Sequence, residues 1–194
     1  MSNLFLIGYR CTGKTSAGKA LAATLGWTFV DTDRIIVDEV GGSIAEFVAA
    51  RGWTAFRETE RQVIARLSQQ DRQVIATGGG AVMTTENVRS MRSGGKVIWL
   101  QAAPETIRRR MRADAGTATG RPSLTGQGSL EEIETVLAKR KTHYAAAAHY
   151  VIDTDGLSIT EVVSKIIVII GELSTDSTDL IDPTDLTDST DPTD

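Results

Sequence analysis

Lys14 and Thr15 stand side by side in "GYRCTGKT" (Gly8–Thr15), a stretch that fits G-x-x-x-x-G-K-[ST]. An ammonium group, a hydroxyl and small residues held between an apolar run and a helix-period run suit a polyphosphate. Backbone N–H groups of such a loop and of the helical turn after it surround the phosphates. Lys14 places a cation on the outer phosphates, and the Thr15 hydroxyl suits Mg²⁺, which prefers oxygen ligands. The context the motif needs is present, with "NLFLIG" before it and an amphipathic Lys14–Leu25 after it. Cys11 lies inside the loop, either as a small residue filling a position or as a thiol made reactive by the helix N-terminus and Lys14.

A phosphoryl donor needs an acceptor, and several polar features could serve one. "FVDTDR" places Asp31 and Asp33 two apart, expected on one side of an extended strand end. One carboxylate could hold Mg²⁺ through water while the other orients an acceptor hydroxyl. An aspartate before "RIIVDE" would equally cap a helix. "FRETE" sets Arg57 and Glu60 three apart on a helix face, which alone reads as an ordinary surface pair. "TGGGA" (Thr77–Ala81) demands bare backbone, for a close ligand or for a tight turn. Arg121 in "GRPSL" could swing over a transferring phosphoryl group. Arg140 in "AKRKTHY" reads as surface charge when taken alone. His143 and His149 have no ligand-spaced companions and read as structural, and Trp27, Trp53 and Trp99 as core or near-core.

These groups must be carried by regular elements. "NLFLIG" (Asn3–Gly8), "TFVD" (Thr28–Asp31), "QVIAT" (Gln73–Thr77), "KVIWLQ" (Lys96–Gln101) and "YVID" (Tyr150–Asp153) read as short buried strands. Helical periodicity covers roughly Lys14–Leu25, Ser43–Ala50, Thr54–Gln69, Thr85–Met91, Pro104–Arg112, Leu130–Ala147 and Ser158–Ile170. Pro104 suits a first helical turn, and Ser129 with Glu132 forms a capping box. Strand–helix alternation predicts an α/β fold, a parallel sheet flanked by helices, with ligands at the carboxyl ends of the strands.

Two stretches break the alternation. Residues 112–128 are rich in Gly, Thr and Ala, too long for a plain connection, and read as a mobile lid. From Leu173 onward there are seven aspartates and no lysine, arginine or glutamate, which predicts a solvated, disordered tail. The formal charge of the 194-residue chain is −4, and residues 1–172 alone carry +3. That mild basicity suits anionic small molecules and is too weak for a nucleic-acid partner. A single cysteine excludes an internal disulfide and a cysteine-clustered zinc site, and it fits a reducing compartment. No signal peptide is expected before a strand that begins by Asn3, and "VVSKIIVII" is too short to span a bilayer. A cytoplasmic monomer follows as the expectation.

Taken in order, "GYRCTGKT", "DTD", "FRETE", "GGG", "GRPSL" and "RKTHY" resemble the shikimate kinase family over Asn3 to about Ile170. The resemblance implies a P-loop kinase fold with five strands in the order 2-3-1-4-5. It implies ATP held by Gly8, Arg10, Cys11, Thr12, Gly13, Lys14, Thr15 and Ser16, with Arg110 of the Arg108–Arg112 cluster against adenine. Thr15 and, through water, Asp31 would hold Mg²⁺. Asp33 would bind the acceptor hydroxyl and act as base. Arg57 and Arg140 would grip the substrate carboxylate, and Gly79 and Gly80 would offer backbone N–H groups to shikimate. Arg121 would bridge nucleotide and substrate, completing a catalytic set with Asp33 and Lys14. The family usually carries glycine where Cys11 stands, so a positive φ there would cost about 1–2 kcal/mol. Two other functions fit the same loop: a kinase of gluconate or a similar hydroxyacid, and a nucleotide-binding module without catalysis.

Overall fold

The computed structural model describes residues 2–113 and 132–175. The five strands are β1 (Asn3–Ile7), β2 (Thr28–Asp31), β3 (Gln73–Ala76), β4 (Gly95–Gln101) and β5 (Tyr150–Asp153). They pair in parallel throughout, in the order β2-β3-β1-β4-β5. β1 lies at the centre with all five residues buried, as expected where helices cover both faces. Its side chains alternate between two cores. Phe5 and Ile7 join Ile75, Val97 and Trp99 on one face, packed by Ile36, Phe56, Ile64 and Tyr144. Leu4 and Leu6 join Val74, Ile98, Leu100 and Ile152 on the other, packed by Leu21, Val163 and Ile166.

The helices are α1 (Lys14–Leu25), α2 (Thr32–Val40), α3 (Ile44–Leu67), α4 (Thr85–Gly94), α5 (Pro104–Ala113), α6 (Ile133–Ala147) and α7 (Ile159–Thr175). A short 3₁₀ turn, Ala81–Met83, follows the glycine triplet. α3 is two helices joined at Gly52, whose φ of 79° and ψ of 168° break the spiral. That matches the expected separation of Ser43–Ala50 from Thr54–Gln69. Ser43 and Glu46 cap its start reciprocally, with Ser43 N donating to Glu46 Oε2 at 2.9 Å.

Two expectations need correction. β2 does not carry both aspartates on an extended end. The chain turns helical at Thr32, and Asp31 is the N-cap of α2, its Oδ1 accepting from Asp33 N at 3.0 Å. Asp31 therefore closes the strand while Asp33 sits in the first helical turn, facing a different neighbour. α7 runs to Thr175, beyond the Leu173 boundary expected for the tail. Ser129 of the expected capping box, most of the expected lid with Arg121, and residues 176–194 lie outside the described residues.

Candidate functional site

The P-loop leaves β1 at its carboxyl end and feeds α1. Gly8 has φ 141°, and a Cβ there would run into the Leu100 carbonyl oxygen, so only bare backbone passes beneath β4. Lys14 is nearly buried, and its Nζ donates to the carbonyls of Gly8 at 2.8 Å and Tyr9 at 2.7 Å. Thr12, fully buried, donates from Oγ1 to Tyr9 O at 2.9 Å. These bonds hold the loop in shape from inside. Cys11 has φ 58°, the left-handed region disfavoured for L-residues. Its side chain packs partly against the cluster of Tyr9, Ile107 and Met111, so the strain is separated from the packing by comparing two substitutions. Cys11→Gly should be more stable than Cys11→Ala by about 1 kcal/mol, because alanine loses the thiol but keeps the strain. Equal thermal midpoints would show that the loop relaxes at no cost.

Thr15 donates from Oγ1 to Asp31 Oδ2 at 3.1 Å. The helix N-terminus and the end of β2 therefore present two hard oxygen donors together, a set that fits Mg²⁺. Beside them opens a cleft of about 360 Å³ whose walls include Cys11, Thr12, Gly13, Ser16, Arg110 and Thr154. Arg110 is fixed there by three donations: Nη1 to Thr154 Oγ1 at 3.0 Å and to Cys11 O at 3.3 Å, and Nη2 to Thr154 O at 2.8 Å.

On the other side of the loop lies a second hollow, bounded by Arg10, Asp33, Trp53, Arg57, Glu60, the triplet Gly78–Gly80 and Arg140. The glycines answer to neighbouring side chains. A Cβ on Gly78 would come 2.7 Å from Asp33 Oδ1 and 2.9 Å from Glu60 Oε1, and one on Gly80 would strike the Arg57 guanidinium. Gly78 N accepts a tether from α2 by donating to Thr32 Oγ1 at 3.1 Å. Arg140, on α6, reaches across to donate from Nη1 to Gly79 O at 3.0 Å, and Tyr144 OH donates to the same oxygen at 2.6 Å. Burial pushes the Tyr144 phenol up to about 12, so it stays a donor across the working pH range. Because a trans peptide points its C=O and N–H oppositely, the Gly80 N–H is turned away from Arg140 and Tyr144.

The Arg57–Glu60 pair is not a surface pair. Glu60 is fully buried, with Oε2 2.7 Å from Arg57 Nη1. Burial raises its carboxyl above the usual range, the Arg57 charge pulls it back down, and the Asp33 carboxylate adds to the rise. Trp53, expected in or near the core, is 38% exposed and stacks edge-on to Phe56 at the pocket wall. The Arg57 guanidinium lies over both rings, 5.5 Å and 5.2 Å from their centroids. The hollow measures about 70 Å³, well below the roughly 300 Å³ usual for ligand pockets. The break at Gly52 directly precedes Trp53 on its α3 side.

Asp33, Arg57, Gly79, Gly80 and Arg140 thus share one hollow, and Thr12, Gly13, Ser16 and Arg110 share the adjoining cleft. The Arg10 guanidinium goes to Glu132 and borders the hollow that holds Asp33, Arg57 and Arg140. Tyr9, Trp53 and Glu60 line the hollow and Tyr144 bonds its Gly79 carbonyl, although the sequence reading gave Trp53 to the core, Glu60 to a surface pair and no role to Tyr9 or Tyr144. His149 is structural, accepting from Val97 N at 2.9 Å through Nδ1. Among the described residues no helix is long and apolar enough to cross a membrane, and no cluster of histidine, cysteine or carboxylates forms a separate metal site.

A family model for shikimate kinase matches residues 10–170. The chain belongs to the shikimate kinase family. The shikimate kinase of Symbiobacterium thermophilum is 44% identical over 164 residues, covering 84% of this chain and 93% of that one. Shikimate kinase 2 of Sodalis glossinidius is 44% identical over 151 residues, covering 78% and 86%. Among solved structures, the Acinetobacter baumannii shikimate kinase in complex with shikimate superposes with a TM-score of 0.82 at 29% identity, over 89% of this chain and 94% of that one. This shikimate kinase family member thus carries its two hollows on a fold it shares with that enzyme.

Proposed function

We propose that this chain is a shikimate kinase that carries the γ-phosphoryl group of ATP to the 3-hydroxyl of shikimate, using the residues described above. The observation that carries the reading is the convergence of Asp33, Arg57 and Arg140, drawn from three separate helices, on one hollow beside the P-loop. A non-catalytic nucleotide module has no need of that second hollow.

The roles follow from charge and reach. Arg57 and Arg140 hold the substrate carboxylate, a planar anion that guanidinium forks match in two-point geometry. The Gly80 N–H adds a donor where only glycine leaves room. Asp33 takes the proton of the acceptor hydroxyl as that oxygen attacks. Lys14, held by its own loop carbonyls, places its charge at the phosphate site, and the α1 N-terminus adds N–H groups. Mg²⁺, when bound with the nucleotide, neutralises the phosphoryl oxygens, and Thr15 and Asp31 would hold it. Catalysis here is positioning and electrostatics, with no covalent intermediate on the protein.

A parallel ADP-release assay offering shikimate, gluconate and nucleoside monophosphates tests the reading. Turnover with shikimate alone is expected. Preference for gluconate or a nucleotide acceptor overturns it. Residues 1–175 form the kinase domain in this reading, acting as a cytoplasmic monomer without nucleic acid or membrane. Because α7 extends to Thr175, the tail is removed cleanly after that residue. Deleting residues 176–194 is expected to leave kcat and the thermal midpoint unchanged; a fall of more than a few degrees, or lost turnover, would give the tail a role.

A further inference from the structure

We propose that Arg10 is a third guanidinium of the acceptor site, donating from Nη1 to an oxygen of bound shikimate. The inference rests on the substrate reading above. Its position in the P-loop points to the nucleotide, but the side chain turns the other way. Arg10 borders the acceptor hollow with Asp33, Arg57 and Arg140, and it is absent from the described walls of the nucleotide cleft.

Arg10 is only 6% exposed. Nη2 donates to Glu132 Oε1 at 2.5 Å, and Glu132 is itself fully buried at the start of α6. The guanidinium carbon lies 5.4 Å from the centroid of the Tyr9 ring. One edge of the planar group is thus fixed by a charge-assisted bond and its face lies near an aromatic ring. Nη1 is buried with no hydrogen-bond partner among the described residues. A guanidinium carries five donors and accepts nothing, so an unfilled buried donor on it is costly unless something supplies an oxygen. Shikimate, with a carboxylate and three hydroxyls, is rich in such oxygens. Because Glu132 already holds the group in place, little further ordering is needed when the acceptor arrives.

Steady-state kinetics with both substrates varied test this on the full chain. Arg10→Lys keeps a charge for Glu132 but cannot hold the pair and a second fixed donor together. It should raise the KM for shikimate about tenfold to a hundredfold, with the KM for ATP within about twofold. Since loss of Arg10 strands a buried carboxylate, Arg10→Met is combined with Glu132→Gln. That double variant should lose most of the thermal-midpoint shift that shikimate induces and keep the shift induced by Mg-ADP. A purely structural latch predicts a lower basal midpoint with an unmoved shikimate KM, and a nucleotide role predicts a raised KM for ATP. Either result overturns the inference while wild-type turnover of shikimate stands. A wild-type chain inert toward shikimate overturns the substrate assignment first, and this inference with it.

Discussion

Asp33→Asn should lower kcat by about 10²- to 10⁴-fold while the KM for ATP stays within about twofold. The substitution keeps size and shape and removes the charge that receives the hydroxyl proton in the proposed mechanism. Asp33 sits in the first turn of α2, across the P-loop hollow from Arg57, with Oδ1 against the Gly78 backbone. It shares that backbone patch with Glu60, whose raised carboxyl reflects burial first and the Asp33 charge among the lesser causes. Asparagine relieves that like-charge contact while keeping the side chain's shape. The thermal midpoint should hold or rise. An interaction made only as the proton leaves affects kcat, whereas uniform binding affects KM. Stopped-time assays at saturating shikimate read the difference, and near-normal kcat would remove Asp33 from the chemistry.

Arg57→Lys should raise the KM for shikimate by about 10- to 100-fold, with a much smaller effect on ATP. Lysine retains a cation for Glu60, so the buried carboxylate is not left unpaired. What disappears is the planar fork and its place over Trp53 and Phe56. A point charge on a flexible stem cannot reproduce two parallel bonds to a carboxylate. Alanine would be a poorer test, since stranding Glu60 costs stability and confuses binding with folding. Equal increases in both Michaelis constants would place Arg57 outside the acceptor pocket's recognition.

The P-loop was legible because its chemistry is local: one strand, eight residues and one helix fix the motif and its context. The five strands were legible because buried parallel strands are short apolar runs ended by polar residues. Strand order was not readable from periodicity and came through the family resemblance. The misreadings share a cause, which is that spacing gives neighbours on one element and says nothing of what packs against it. Arg57 and Glu60 show the expected i, i+3 contact, yet that face of α3 is turned inward and Glu60 is buried. Asp31 ends a strand and caps a helix at once, so no turn residue marked the change to α2. The glycine triplet signalled a close approach, but the approaching groups come from residues 33, 57 and 60. The Arg10–Glu132 pair joins positions 122 residues apart, beyond any local pattern. Tyr144 was visible only as part of "RKTHY", and its bond to Gly79 O spans 65 residues.

The most direct test is a crystal structure of the full chain with Mg-ADP and shikimate. The account predicts the ring acid in the hollow between α2, α3 and α6, its carboxylate on Arg57 and Arg140 and one hydroxyl within hydrogen-bonding distance of Asp33, facing the nucleotide across Lys14. Shikimate bound elsewhere, or oriented with its carboxylate toward Asp33, would contradict it.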